Sequence, residues 1–368
     1  MDNEDLRHMA RALELARQGR YSTQPNPHVG CVIVNAGKTV GEGYHQKAGE
    51  PHAEANALRE AGELGRGATA YVTLEPCNHT GRTPPCVDQL IAAQVARVVY
   101  AVEDPNPHVS GAGANRLREA GIEVVHGVLA EDAMRLNRGF LRRAQHGRPF
   151  VTLKIAMSLD AKIGLRSGES KWITGPQARA DVQLLRARSC AIVTGSGTVR
   201  TDNPKLTVRD PSLATAGRQP RVVVLDSKMA LDMSYDVFSG DAQCIVISSE
   251  DNQQKREKFA EKSVEVYRIQ RSAKGGVDLG STLDLLGALE CNEVLVEAGP
   301  QVIGSFISEQ LWDEMIVYIA PKIIGESGRE GFELPPIAAL GDASDVHVVD
   351  ITQVGADLRL TLTPNERA

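Results

Sequence analysis

Four residues in the first quarter of the chain constrain it most: His52 and Glu54 in Pro51-His52-Ala53-Glu54, Cys77 after Pro76, and Cys86 after Pro84-Pro85. One imidazole and two thiolates are the ligand set of a zinc site that keeps a fourth tetrahedral position open for water. Bound zinc lowers the pKa of that water to about 7. Glu54 would then be the unligated carboxylate, placed to move protons from the water to a ring nitrogen and a departing amine. That division of labour belongs to zinc nucleobase deaminases with an H-x-E and P-C-x-x-C signature. Here eight residues, not two, separate the cysteines.

The ligand set dictates local structure. Residues two apart do not share a helix face, so His52 and Glu54 converge only if His52 sits at or before the first turn of a helix. Pro51 favours such a start, and Ala53 to Ala61 then reads as a helix with Ala53, Ala57 and Ala61 on one stripe. Pro84-Pro85 introduces a second helix from Cys86 to Gln94, where the helix start favours an ionised Cys86. Two blander readings compete: a structural zinc site with His79 as fourth ligand, and a Cys77–Cys86 disulfide. The disulfide is disfavoured because Cys31, Cys77, Cys86, Cys190, Cys244 and Cys291 are scattered through a long chain whose first residues, Met1-Asp2-Asn3-Glu4-Asp5, are acidic where a targeting peptide is basic. A reducing, cytoplasmic location is expected.

A length of 368 residues suits two domains of ~150 residues each. The composition shifts at Gln145-His146-Gly147-Arg148-Pro149, which places the domains at 1–147 and 148–368. No apolar run is long enough to span a membrane, and a net charge of −6 argues against a nucleic-acid partner. The expected partner is a small molecule. A homo-oligomer is expected, its size left open.

Both domains read as α/β. In the first, a helix from Asp5 to Gln18 precedes a hairpin, Val29 to Val34 and Thr39 to Tyr44, turning at Asn35-Ala36-Gly37. After the zinc helix come strands at Ala70 to Leu74, Val98 to Val102 and Glu123 to His126, helices at Cys86 to Gln94 and Gly113 to Ala120, and a charged helix from Glu131 to Arg143. In the second, Phe150 to Ser158 alternates strictly, with Val151, Leu153, Ile155 and Met157 on one face and a lone cation, Lys154, on the other. Lysine on a strand is as readily explained by an edge or a solvated face as by a site. Further strands lie at Ala191 to Thr194, Arg221 to Leu225, Cys244 to Ser248, Val264 to Ile269, Glu293 to Val296, Ile316 to Ala320 and Val346 to Ile351, with helices at Gln177 to Arg188 and Val302 to Glu309. Two glycine turns follow apolar strands, Thr194 to Thr198 and Glu297 to Ser305, and the second runs into a helix, a combination that suits a phosphate. Neither is a G-x-G-x-x-G fingerprint, so an ordinary Rossmann domain is disfavoured.

Pro25-Asn26-Pro27-His28-Val29-Gly30, His52-Ala53-Glu54, the stretch from Pro76-Cys77 through His79, Gly81 and Arg82 to Pro85-Cys86, and Lys154-x-Ala156-x-Ser158-Leu159-Asp160 together resemble one family over essentially the whole chain. It is the bifunctional riboflavin-biosynthesis protein, a pyrimidine deaminase fused to a pyrimidine reductase. The eight-residue spacer is the most specific element. The resemblance implies a cytidine-deaminase-like domain followed by a dihydrofolate-reductase-like domain, with zinc and NADPH as cofactors, acting in sequence on a phosphoribosyl pyrimidine. It puts zinc on His52, Cys77 and Cys86 and makes Glu54 the proton shuttle. Asn26, His45, His79 and Arg82 would hold the deaminase substrate. Lys154, Ser170, Arg186, Leu206, Arg209 and Glu297 match reductase substrate contacts. Ala156, Trp172, Thr198, Asp202, Ser227 and the turn Gly299, Pro300, Gln301, Val302, Ile303, Gly304 and Ser305 match positions lining the dinucleotide. Lys154 could polarise the sugar or hold its phosphate. Lys228 could meet a 2′-phosphate, whereas Asp226 alone would favour a free 2′-hydroxyl. Where many members carry glycine after Ser-Leu-Asp, this chain has Ala161, which implies ordinary geometry or slight strain.

Two other functions compete with this reading. One is a deaminase of free nucleosides or nucleotides with an idle second domain, although Lys154, Arg186 and Glu297 are all present. The other is a zinc-stabilised nucleotide-binding module, which would gain little from an unligated Glu54 beside its metal.

Overall fold

In the computed structural model, which describes residues 3–78, 84–105 and 111–365, contacts divide the chain into two units. One comprises Met1–Gly147 with Ala214–Arg218, the other Arg148–Leu213 with Gln219–Ala368.

The first unit contains α1 (Asn3–Gln18), β1 (Gly30–Asn35), β2 (Lys38–Tyr44), α2 (Ala53–Ala61), β3 (Thr69–Val72), α3 (Cys86–Ala92), β4 (Arg97–Tyr100), α4 (Ala112–Glu119), β5 (Glu123–His126), α5 (Ala130–Leu136) and α6 (Arg138–His146). Its sheet runs β2-β1-β3-β4-β5. The β1–β2 and β1–β3 pairs are antiparallel, whereas β3–β4 and β4–β5 are parallel. Alternation along β1 sends Cys31 and Ile33 to a core shared with α2, α3 and α4, and Val32 and Val34 to one shared with α1.

The alanine stripe of α2 lies directly on β2. A Cβ added at Gly41 would sit 2.2 Å from the Ala57 carbonyl oxygen, and one at Gly43 2.5 Å from that of Ala53 and 2.6 Å from the Ala57 nitrogen. Only glycine in the strand against alanine in the helix permits so close an approach, and the approach fixes where α2 begins. The charged segment expected as one helix is instead two. Asn137 breaks it because its side-chain amide is committed to the backbone of His28, accepting from the N–H at 2.7 Å and donating to the carbonyl at 2.9 Å.

The second unit contains β6 (Phe150–Ser158), β7 (Lys162–Leu165), α7 (Pro176–Arg188), β8 (Ala191–Gly195), α8 (Ser196–Asp202), β9 (Arg221–Leu225), β10 (Cys244–Ser248), α9 (Gln253–Glu261), β11 (Glu265–Arg268), α10 (Leu279–Ala288), β12 (Glu293–Val296), α11 (Pro300–Ser308), β13 (Glu314–Ala320), β14 (Gly328–Glu330), β15 (Val346–Val354) and β16 (Asp357–Pro364). The large sheet is ordered β11-β10-β9-β8-β12-β6-β13-β16-β15, parallel from β11 to β13 and antiparallel beyond. β6 is therefore a central strand. Val151, Leu153 and Ile155 join one core with α10 and α11, while the opposite face packs toward α7. Both faces of a parallel sheet are covered, so Lys154 is not on a solvated face. Ala161 takes the strained alternative, with φ 59°, a left-handed conformation that costs a residue with a Cβ about 1 kcal/mol.

Gly43→Ala should force α2 away from β2 and destabilise the protein by about 1–3 kcal/mol, read as a lowered midpoint in urea unfolding. An unchanged midpoint would show that the close approach is not rigid.

Candidate active sites

His52 immediately precedes α2 and Glu54 lies in its first turn, Cys77 follows the end of β3, and Cys86 opens α3. Three elements that leave the sheet at the same end thus bring the ligand atoms of His52, Cys77 and Cys86 within 4.8 Å of one another. His52 Nδ1 is 3.2 Å from Cys86 Sγ and 3.7 Å from Cys77 Sγ. The Cys86 backbone N–H donates to Cys77 Sγ at 3.3 Å. One imidazole and two thiols in a tight triangle are the donor set that zinc takes, so the residues fit that metal. Glu54 is buried beside them. Burial, reinforced by the Cys77 charge, pushes its carboxyl up to about 7. Hydrogen bonds from Cys86, His52 and the Cys86 N–H pull the Cys77 thiol down. The bond to Cys77 in turn holds Cys86 up.

Asn26 and His45 stand against the same cluster. His45 is buried, its ring 5.3 Å from that of His52 and set edge-on to it. Burial pushes its pKa down, and the neutral ring is bonded at Nδ1 to the Pro51 carbonyl (3.2 Å) and at Nε2 to the Asn26 amide (3.0 Å). His79 and Arg82 lie outside the described residues. The sequence reading missed Glu75, an acid standing between the apolar strand β3 and Pro76-Cys77. Its buried carboxylate accepts from the backbone N–H groups of Asp104, Gly111 and Ala114 at 3.1–3.2 Å, pinning the end of β3 from which Cys77 emerges.

In the second unit, a cavity of about 1250 Å³ lies over the carboxyl ends of the parallel strands, where open α/β sheets place their ligands. Its wall includes Lys154, Ser170, Arg186, Leu206, Arg209 and Glu297 as well as Ala156, Trp172, Thr198, Asp202 and Ser227. Gly299, Pro300, Gln301, Val302, Ile303 and Ser305 also line it, as the start of α11. Gly304 does not. It faces away against the backbone of Glu333, whose oxygen would lie 1.9 Å from an added Cβ. Arg186 donates twice to Glu297, at 2.6 and 2.9 Å. Burial alone would raise Glu297, but the charge and hydrogen bonds of Arg186, with Lys154 and Arg209, hold its carboxyl below the usual range. For Lys154, burial pushes the ammonium down while Glu297 opposes the shift. Ser170 Oγ donates to Asp202 at 2.9 Å, and the Arg179 guanidinium lies 4.5 Å over the exposed Trp172 ring. A ligand-sized cavity with a buried Lys–Glu–Arg cluster at one end and two glycine turns along its floor fits a dinucleotide and a polar substrate.

A zinc triangle with a buried proton shuttle in one unit, and a dinucleotide-sized cavity over a parallel sheet in the other, describe a deaminase joined to a reductase. The family model of the cytidine and deoxycytidylate deaminase zinc-binding region matches residues 2–102, and that of the RibD C-terminal domain matches residues 149–360. The chain is 48% identical to riboflavin biosynthesis protein RibD of Escherichia coli (strain K12) over 98% of this chain and 99% of that protein. It is 44% identical to RibD of Haemophilus influenzae over 98% of each. Among solved structures, Acinetobacter baumannii RibD (form 1) superposes with a TM-score of 0.92 at 43% identity, covering 99% of each chain. The Thermotoga maritima diaminohydroxyphosphoribosylaminopyrimidine deaminase/5-amino-6-(5-phosphoribosylamino)uracil reductase superposes with 0.87 at 36%, covering 98% of this chain and 99% of that one. The chain belongs to the RibD family: it is a bifunctional deaminase and reductase of riboflavin biosynthesis, with zinc and NADPH as its cofactors. Among the described residues no helix is long and apolar enough to cross a membrane.

Arg186→Ala would leave Glu297 buried without its bidentate partner, and should cost about 3–5 kcal/mol in chemical denaturation. A loss below about 1 kcal/mol would mean that the pair is hydrated and the cavity wall not built on it.

Proposed function

We propose that residues 1–147 deaminate a diaminohydroxyphosphoribosylaminopyrimidine and that residues 148–368 then reduce the ribose of the product to a ribityl chain. The observation that supports this most is the convergence, from three separate elements, of His52, Cys77 and Cys86 around an unligated, buried Glu54. His52, Cys77 and Cys86 would hold zinc, which when bound supplies an activated water nucleophile at neutral pH. Glu54 then does the proton work: its carboxylate takes a proton from the attacking water and delivers it to the ring nitrogen, and a second transfer lets the amine leave as ammonia. Neutral His45 and Asn26 orient the ring, and His79 and Arg82 hold the sugar phosphate. The second unit would reduce the open-chain or imine form of the ribose: the C1′–O4′ bond opens with the ring oxygen taking a proton, and NADPH would supply the hydride to C1′. Glu297 beside Lys154 would repel a phosphate, so we assign Lys154 to the sugar oxygen, as proton donor, and the exposed Arg209 to the phosphate. Ser170, Arg186 and Leu206 complete the substrate wall. Ala156, Trp172, Thr198, Asp202, Ser227 and the 299–305 turn receive the dinucleotide, although Gly304 would act only by letting α11 approach the Glu333 backbone.

The partners in this reading are small molecules, neither nucleic acid nor membrane, in a cytoplasmic setting, and the working form is a homo-oligomer. The last point is supported by β15, the outer strand of the large sheet. It is exposed along its length, with Val346, Val348, Val349 and Ile351 each 42–62% accessible and Leu340 and Leu358 also exposed. Such an unprotected apolar edge pairs readily with another strand. We take a second copy of this chain as its occupant.

Glu54→Gln should keep one zinc per chain by elemental analysis, lower deamination by about 10²–10⁴-fold and leave reduction of separately supplied deaminated substrate intact. Undiminished deamination would overturn the proton-shuttle assignment. Sedimentation equilibrium should find a dimer or larger assembly that Ile351→Lys weakens; a monomer at working concentration would remove the oligomer.

A further inference from the structure

In a Cys-x-x-Cys pair the short turn itself holds two thiolates at one metal. Cys77 and Cys86 are separated by eight residues instead, and by length alone chain ends so far apart meet about fivefold less often than those of the short turn. Something outside the spacer must therefore bring the two ligands together. Two direct links between the cysteine segments are long: the Cys86 N–H donates to Cys77 Sγ and the Val87 N–H to the Cys77 carbonyl, each at 3.3 Å. Neither reaches beyond the pair to a fixed element of the fold.

The element that meets both segments is α4. The buried Glu75 carboxylate accepts from the N–H groups of Gly111 and Ala114, so the acid two residues before Cys77 closes the start of this helix, where its negative charge also suits the dipole. Gly113 lies against the next residue of the same segment: a Cβ added there would sit 2.2 Å from the Pro76 carbonyl oxygen. Three residues further, on the same helix face, Arg116 donates to Asn78 Oδ1 at 2.8 Å through one amino group and pairs with Asp88 at 2.5 Å through the other. Asn78 follows Cys77, and Asp88 stands in the first turn of the helix that Cys86 opens. One planar guanidinium thus joins the two ligand segments from opposite ends of the spacer, a task that suits a rigid fork of donors. The side chains of the ion pair are 43% and 44% exposed, and such a pair adds little to folding. What it supplies is direction, because its two partners lie on the two segments whose separation the metal requires.

We propose that Arg116 is a positioning residue of the metal centre: with Glu75 and Gly113 it makes α4 the bracket that sets the Cys77–Cys86 separation, in place of the short turn of a Cys-x-x-Cys pair. The proposal rests on the reading of His52, Cys77 and Cys86 as zinc ligands. Zinc affinity of the full chain, measured by competition with a chromogenic chelator, tests both. Arg116→Ala should bind zinc about fivefold more weakly while the zinc-free chain keeps its midpoint in urea. Asp88→Ala should weaken zinc as well, and the double variant should be no weaker than Arg116→Ala, because the two substitutions remove one shared contact. Arg118→Ala removes a guanidinium of the same helix that donates to Asn115 at 3.1 Å, and should leave affinity within about twofold of the wild type. An Arg116→Ala chain that binds zinc within about twofold of the wild type overturns the bracket. So does a loss matched by Arg118→Ala, or one accompanied by a lowered zinc-free midpoint. If His52→Ala or Cys86→Ala binds zinc as the wild type does, the ligand reading falls and the bracket with it; if both lose zinc while Arg116→Ala keeps it, only the bracket falls.

Discussion

The Arg186–Glu297 pair ties α7 to the residue that follows β12, through side chains only 10% and 9% exposed. A charge so placed is tolerable only when partnered, and that constraint organises the wall around it. Arg186 also donates to the Thr207 carbonyl at 3.2 Å, fixing the loop that carries Leu206 and Arg209. Glu297 also opposes, without cancelling, the pull of burial on Lys154 toward its neutral form. Arg186, Glu297 and Lys154 thus stand together in the cavity wall, where an entering polar substrate would meet them.

The smaller unit meets the same constraint with sulfur. Two thiols, an imidazole and a carboxyl cannot all ionise in so small and dry a volume, and without a metal they share protons: Cys77 takes the negative charge while Cys86 and Glu54 are held toward their neutral forms. A divalent cation resolves the conflict by stabilising both thiolates, which is the physical reason that this donor set fits zinc and would be a poor structural cluster by itself. The cluster exists at all because α2 can approach β2 at backbone distance. Gly41 and Gly43 are thus as much a part of the site's construction as the ligands.

Much of this was legible from local pattern. Pro51 with an alanine stripe defined α2 to the residue, and strict alternation did the same for β6. The meeting of His52, Cys77 and Cys86 followed from chemistry and spacing. What local pattern could not reveal depended on partners distant in sequence. Asn137 and Gly139 are weak helix formers, but the partner that holds the break, the backbone of His28, lies 109 residues away. Nothing near Gly304 shows that its missing side chain serves the approach of Glu333 and not the cavity. Most of the reductase wall became visible only through family resemblance. Ser170, Trp172, Leu206 and Arg209 lie on irregular segments whose sequence carries no periodicity to read, and they meet only when the sheet brings its strand ends together.

The Asn137 break has a further consequence within the first unit. By accepting from the His28 N–H and donating to its carbonyl, the Asn137 amide fixes the segment that carries Asn26 two residues earlier. Asn26 in turn meets His45 Nε2, whose other nitrogen meets the carbonyl of Pro51, the residue before the ligand His52. A continuous run of hydrogen bonds and short backbone links therefore reaches from the α5–α6 junction to the metal cluster. Asn26 is held on both sides, by its own neighbours in the chain and by a neutral histidine that is itself held by backbone. Buried hydrogen-bond networks of this kind rigidify when every member is satisfied, and rigidity is what a pocket needs to present a ring carbon to an attacking water in one orientation. The helix break thus interrupts regular structure and gains a fixed wall beside the His52, Cys77 and Cys86 cluster.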